Sequence, residues 1–219
     1  LANEDLKNII EEIRNKEIKG INVTVPHKKN VIPYLDTLSD EAQETQSVNT
    51  IYLDNEKIVG HNTDIKGFEF AIKETKYDVA NKKIFILGAG GVVPSIVFAL
   101  YKMNVSEIII CNRTKSKAEN LRDLFKNLQI IEWGDIPNFD LIINATSIGL
   151  NNTDTFDLDF SKFKKGKFFY DVIYNPNETI FLKKAKELGN KTENGKKMFI
   201  YQAAEAFKIW HGVQPKIDQ

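Results

Sequence analysis

The stretch Lys83-Ile84-Phe85-Ile86-Leu87-Gly88-Ala89-Gly90-Gly91-Val92-Val93-Pro94 constrains the fold of this chain more than any other. Residues 84–87 are an uninterrupted apolar run, as expected of a strand buried on both faces of a parallel sheet. Three glycines end it. Apolar residues at helical spacing follow at once: Ile96, Val97, Ala99, Leu100 and Met103. Gly88 suits a tight turn and Gly90 lets the backbone approach a pyrophosphate. With Ala89 and Gly91 the turn opens a helix whose free N–H groups attract that anion. Pro94 fits the first helical turn, where its missing N–H costs nothing. The third fingerprint position carries Val93 in place of Gly or Ala, and its branched side chain is expected to push the helix slightly off the strand. The alternative is a glycine-rich strand–helix turn that binds nothing. The strand before it and the helix after it favour the nucleotide reading.

Around this unit the pattern alternates. Residues 3–16 read as an amphipathic helix, 18–25 as a strand with Ile21, Val23 and Val25 on one face, and 27–29 as the start of a short helix after Pro26. Ser39 opens a helix over 39–46. Residues 47–53 and 58–59 form a hairpin about Asp54-Asn55-Glu56-Lys57. A helix follows from Ile65 to about Lys76. Beyond the glycines come a strand at 107–111, a helix at 116–128, and strands at 130–131, 141–143 and 168–172. A helix at 179–188 and a more apolar one at 196–210 complete the chain. Such alternation predicts an α/β fold, a Rossmann-type doubly wound parallel sheet. A smaller α/β domain precedes it, and the C-terminal helix returns to complete that domain. The expected division is 1–64, 65–194 and 195–219.

Across the 219 residues Lys+Arg and Asp+Glu each total 30, so neither a nucleic-acid nor a membrane footprint is expected. No apolar run is long enough to span a bilayer, and the N-terminus lacks the shape of a signal peptide. The single cysteine, Cys111, excludes an internal disulfide framework and reads as a small buried apolar side chain. A cytoplasmic location is expected. His27, His61 and His211 have no metal-ligand spacing, so no metal is expected.

The strand at 107–111 ends in Asn112-Arg113-Thr114, with Lys117 beyond. In a Rossmann unit this point meets the adenosine ribose. An acid there would accept from the 2′-hydroxyl of NAD. A guanidinium, a hydroxyl and an ammonium suit a 2′-phosphate, so NADP is expected. Asn144-Ala145-Thr146-Ser147 follows the strand at 141–143, where ligands sit in such sheets, although the same residues also make a plain turn. Lys28 and Asp64 suit proton transfer to a ketone during hydride addition. Bare of context, Lys28 beside Lys29 reads more readily as a surface lysine, and Asp64 before Ile65 as a helix N-cap.

Taken in order, several motifs resemble the shikimate dehydrogenases. They are Gly20-Ile21-Asn22-Val23-Thr24-Val25-Pro26-His27-Lys28, Ser47-Val48-Asn49-Thr50, Gly60-His61-Asn62-Thr63-Asp64, the glycine turn, Asn112-Arg113-Thr114, Asn144-Ala145-Thr146-Ser147-Ile148-Gly149, Tyr170-Asp171-Val172-Ile173-Tyr174-Asn175-Pro176 and Gln202-Ala203-Ala204. The resemblance implies NADPH-dependent reduction of 3-dehydroshikimate to shikimate by a monomer or homodimer. It implies Lys28 and Asp64 as the catalytic pair. Asn22, Thr24, Asn49, Thr63 and Gln202 would be partners of the substrate hydroxyls, and Tyr174 a neighbour of substrate and nicotinamide. Arg113, Thr114 and Lys117 would be the 2′-phosphate clamp, where the family more often has Arg at the last position. A broader quinate/shikimate enzyme and an inactive NADP-binding fragment are the alternatives. Family members begin with a strand and a Ser-x-Ser motif that holds the substrate carboxylate, and the sequence starts at the helix after it. The sequence is then either a fragment or a shortened relative, and in the fragment case the carboxylate site is incomplete and an edge of the first sheet is expected to be unpaired.

Overall fold

The apolar runs at 84–87, 107–111, 141–143 and 168–172 become the middle of one sheet, and the alternating segments before residue 62 become another. The computed structural model describes residues 3–151 and 154–217. The chain opens with α1 (Asn3–Arg14), β1 (Gly20–Asn22), α2 (His27–Asn30), β2 (Thr37–Leu38), α3 (Asp40–Thr45), β3 (Thr50–Asp54) and β4 (Lys57–His61). Their four strands lie in the order β1-β3-β4-β2, with β1 antiparallel to β3 and β2 parallel to β4. Ser39 caps α3, its hydroxyl accepting from Ala42 N–H at 3.3 Å. Ile10 and Ile13 of α1 pack with Val23, Val31, Val48, Ile51 and Ile58 to form this sheet's own apolar cluster.

The second sheet is built from β5 (Lys83–Leu87), β6 (Glu107–Cys111), β7 (Leu128–Ile131), β8 (Leu141–Asn144), β9 (Phe168–Asp171) and β10 (Lys191–Glu193). All its pairings are parallel, and the order is β10-β9-β8-β5-β6-β7. Its helices are α4 (Asp64–Glu74), α5 (Val93–Lys102), α6 (Lys115–Glu119), α7 (Ile180–Glu187) and α8 (Lys196–His211). Strand periodicity sorts the core into two layers. Ile84, Ile86, Ile108, Ile110, Leu141 and Ile143 face α4 and α5, while Phe85, Leu87, Ile109, Ile142 and Phe169 face α7. Cys111 lies in that second layer, where burial pushes its thiol pKa up to about 12, so it is an apolar filler.

Several expected boundaries move. The strand expected over 18–25 shortens to β1, and Val25 is 65% exposed instead of joining Ile21 and Val23 on one face. The strand expected from 47 begins at Thr50. The helix expected over 116–128 stops as α6 and continues as a 3-10 turn at Asn120–Asp123, and Leu128 already belongs to β7. Its apolar residues Leu121, Phe125 and Leu128 are spaced for a helix, but the strand beside β6 takes Leu128. The two-residue β2 and the edge strand β10 carry too few apolar residues for periodicity to reveal them.

Helix α8 links the two sheets. Its Met198 packs with the layer beneath α4, and its Trp210 Nε1 donates to Ile51 O at 3.1 Å in the first sheet. The close crossing of α4 and α8 needs glycine. A Cβ on Gly67 would lie 2.8 Å from Met198 O and 2.8 Å from Gln202 Cβ. We therefore expect Gly67→Ala to destabilise the protein by about 1–3 kcal/mol through overpacking. Chemical unfolding midpoints measure this, and an unchanged midpoint would show that the two helices separate freely.

Candidate active site

The order of the parallel sheet reverses between β5 and β8, and ligands bind at the carboxyl ends of strands beside such a point. Leu87 pairs with Asn144, so the turns that leave these two strands start side by side. Gly88 adopts φ +108°, and a Cβ there would lie 2.8 Å from Ala145 O. Both facts demand glycine. Over Gly90, by contrast, the nearest atom to a Cβ would be Ala145 O at 3.8 Å, so the face of the turn is open. Helix α5 starts there with Val93 fully buried, Pro94 in its first turn and no side-chain cap, which leaves its N-terminus to accept an anion. The turn lines one wall of a cleft of about 740 Å³.

Sequence-selected residues from three strands meet in this cleft. Arg113, Thr114 and Lys117 are exposed at the end beyond β6, Thr146 and Ser147 line the part beyond β8, and Tyr174 lines the part beyond β9. Asn112 also lines it, but both ends of its amide are used. Its Oδ1 accepts from Ala89 N–H at 3.2 Å and its Nδ2 donates to Thr114 O at 2.7 Å, tying the glycine turn to the basic loop. Asn144 is fully buried and not on the cleft wall. It donates to Ile148 O and Asp171 Oδ1 and accepts from the Thr146 N–H and hydroxyl, so it shapes the loop.

Lys28 and Asp64 form an ion pair, Nζ to Oδ2 at 2.5 Å, with side chains only 11% and 8% exposed. This corrects two plain readings. Lys28 is no surface lysine, because α2 turns it inward. Asp64 is not the N-cap of α4, because Thr63 holds that position and Asp64 is the first helical residue, free to face Lys28. Asn49 holds the other carboxylate oxygen, Nδ2 to Oδ1 at 2.9 Å, and its Oδ1 accepts from Thr63 N–H at 2.8 Å. The same Nδ2 lies 3.4 Å from Gln202 Oε1 of α8. Asn22 donates to Asn49 O and to the Thr50 hydroxyl, both at 3.1 Å. Thr24 is exposed beside this cluster's first strand, whereas Thr63 is fully buried and commits its hydroxyl to Asn49. The pair sits against the cleft: a Cβ on Gly91 would lie 3.9 Å from Lys28 Cδ.

Two residues that pattern reading passed over hold these parts together. Asn62, 1% exposed, donates to Ser47 O and Ser95 Oγ, both at 2.9 Å, and accepts from Asp64 N–H at 3.1 Å. It thereby joins the start of α4 to α5. Phe199 stacks on Tyr174 with centroids 4.6 Å apart. The Asn-Thr-Asp run was the available signal for Asn62, and Phe199 had none. Among the described residues no cluster of side chains suits a metal ion, and no helix is long and apolar enough to cross a membrane.

Family models match along the chain. They are the shikimate dehydrogenase substrate binding domain at residues 1–51, the shikimate / quinate 5-dehydrogenase at 69–171 and the shikimate 5′-dehydrogenase C-terminal domain at 197–219. The shikimate dehydrogenase (NADP(+)) of Pelagibacter ubique (strain HTCC1062) is 53% identical over 218 residues, covering 100% of this chain and 82% of that protein. A shikimate dehydrogenase structure from Aquifex aeolicus superposes with a TM-score of 0.90 at 40% identity, covering 97% of this chain and 79% of the other. One from Thermus thermophilus, in complex with NADP(H) and shikimate, gives 0.88 at 32%, covering 97% and 80%.

The loop that carries Tyr174 rests on a buried acid. Burial raises the Asp171 pKa to about 6, against the opposing hydrogen bonds from the Thr179 hydroxyl, Ile173 N–H and Asn144. The native state therefore keeps a proton that the unfolded chain releases, so stability falls as pH rises from about 4 to about 6 and is level above. The unfolding free energy of the wild type relative to Asp171→Asn should drop by roughly 3 kcal/mol across that window. Urea titrations at stepped pH measure the drop, and parallel curves would mean that the acid is ionised throughout.

Proposed function

The chain belongs to the shikimate dehydrogenase family, and from that premise we propose how its own residues reduce 3-dehydroshikimate. It is an NADP-dependent oxidoreductase that interconverts 3-dehydroshikimate and shikimate. The observation that carries the residue assignment is the buried Lys28–Asp64 pair against the glycine turn.

NADPH, when bound, supplies the hydride to the carbonyl carbon. As charge develops on the carbonyl oxygen, the Lys28 ammonium stabilises it and gives it a proton. Asp64 holds that ammonium through Oδ2 while Asn49 holds Oδ1, so the lysine needs no reorganisation when the charge appears. In the reverse direction the same pair takes the proton from the shikimate hydroxyl. Asn22, Thr24, Gln202 and Tyr174 are assigned to the substrate ring. Asn49 and the buried Thr63 orient them from behind.

Gly88, Ala89, Gly90 and Gly91 would hold the pyrophosphate at the start of α5, and Thr146 and Ser147 the opposite wall. Arg113, Thr114 and Lys117 would hold the 2′-phosphate, and Asn112 and Asn144 brace the two loops. Residues 1–64 are assigned to the substrate domain, 65–194 to the nucleotide domain and 195–219 to a segment returning to the first. The separate apolar cluster of the first sheet and the Trp210 contact support this division. We place the enzyme in the cytoplasm, as a monomer or homodimer with neither nucleic acid nor membrane as partner. A balanced 30 cationic and 30 anionic side chains and one buried cysteine support that placement.

Absorbance of reduced nicotinamide, followed with shikimate and NADP⁺ and with quinate and NAD⁺ as controls, tests the reading. Signal is expected for the first pair only, and equal efficiency with quinate and NAD⁺ would favour a broader enzyme. Lys28→Ala should lower kcat by roughly 10²–10⁴-fold; near-normal turnover would remove it as the acid. Arg113→Ala should raise KM for NADP⁺ by about tenfold or more, because a charge-assisted hydrogen bond is lost, and leave KM for NAD⁺ nearly unchanged.

A further inference from the structure

Parallel pairing places Cys111 of β6 opposite Ile131 of β7. Arg113 and Trp133 each lie two residues beyond those partners, so the two loops leave the carboxyl edge together. An ion pair between Lys115 and Glu132 ties them. Trp133 packs part of its indole on the layer that contains Phe139, and the rest lines the cleft beside Arg113, Thr114 and Lys117. Large aromatic side chains left half-buried on a cleft wall offer a flat apolar face at low entropic cost.

Only one other aromatic ring lines this cleft among the described residues, that of Tyr174 beyond β9. Four strand spacings separate β9 from β7 in the sheet order, roughly 19 Å. The cleft therefore has an aromatic surface near each end and the glycine turn between them. That is the layout of an extended dinucleotide, with a planar base at each end and phosphates in the middle. The reaction requires the nicotinamide near Lys28, and α8 joins that end of the cleft to Tyr174, since its Phe199 stacks on Tyr174 and its Gln202 lies beside the Asn49 that bonds Asp64.

On the NADP reading above, we propose that Trp133 is the platform on which the adenine ring of the cofactor stacks, making it an affinity-determining residue of the nucleotide site. It acts with the Arg113 set, one holding the base and the other the 2′-phosphate. It takes no part in hydride or proton transfer.

Adenosine 2′,5′-bisphosphate is the probe, since it has the base, ribose and 2′-phosphate but no nicotinamide. Trp210, hydrogen-bonded to Ile51 in the first sheet, is the only other tryptophan and serves as an internal reference. The probe should quench wild-type indole emission saturably. In Trp133→Phe the quenching should vanish, while calorimetry gives a Kd within about threefold because a ring remains. Trp133→Ala should bind the probe about tenfold or more weakly and leave KM for shikimate unchanged. Undiminished affinity in Trp133→Ala, or probe binding to the wild type without quenching, would overturn the platform and leave the NADP reading intact. Failure of the wild type to bind the probe at all would overturn both.

Discussion

An ammonium and a carboxylate taken out of water depend on each other, and the Lys28–Asp64 pair is the point on which the rest of this structure converges. Either charge alone at these buried positions would be strongly destabilising, and the pair is tolerated because its remaining oxygen is also bonded. That second bond comes from Asn49, whose amide is in turn held by Thr50 and Thr63. The partners come from distant parts of the chain. Lys28 lies on α2, Asn49 just before β3, Asp64 at the start of α4 and Gln202 on α8. The pair is thus a consequence of the whole first sheet and of both helices that join it to the second.

The same logic governs the cleft. The parallel sheet needs no polar residue for its own stability, since its inner strands are apolar on both faces. Polar side chains gather only where the strands end. There Asn112, Asn144 and Asp171 use their capacity on backbone groups and hold the loops in place. Beside them Arg113, Lys117 and Ser147 stand exposed on the cleft. Asn62 and Ser95 carry the connection across. A buried amide bonded to the start of α4 and to α5 keeps the acid at a fixed distance from the glycine turn.

Much of this was legible beforehand because the local signals were strong. The run at 84–87, the glycines and the helix after them have one reading in common, and β5, β6, β8 and β9 follow from apolar runs that only a doubly covered sheet can bury. Shorter elements were not legible. β2 has two residues and β10 three, too few for a period to show, and the helix expected over 116–128 splits into α6 and a 3-10 turn before β7 takes Leu128. For the site, the basic group after β6 and the polar loop after β8 announced themselves by type. Lys28 and Asp64 did not, since a lysine beside a lysine and an acid at a helix start are ordinary surface features, and resemblance alone distinguished them.

By itself the sequence determined the class of fold, the place of the glycine turn and the chemical character of the nucleotide end, because each rests on residues adjacent in the chain. Tertiary structure decided what depends on distant partners: that Lys28 is buried, that Asp64 faces it instead of capping α4, that Thr63 and Asn144 serve as braces, and that Trp133 stands beside Arg113. Burial and pairing are properties of elements brought together from far apart in the chain, as much as 153 positions in the network around Asn49. No local pattern encodes them.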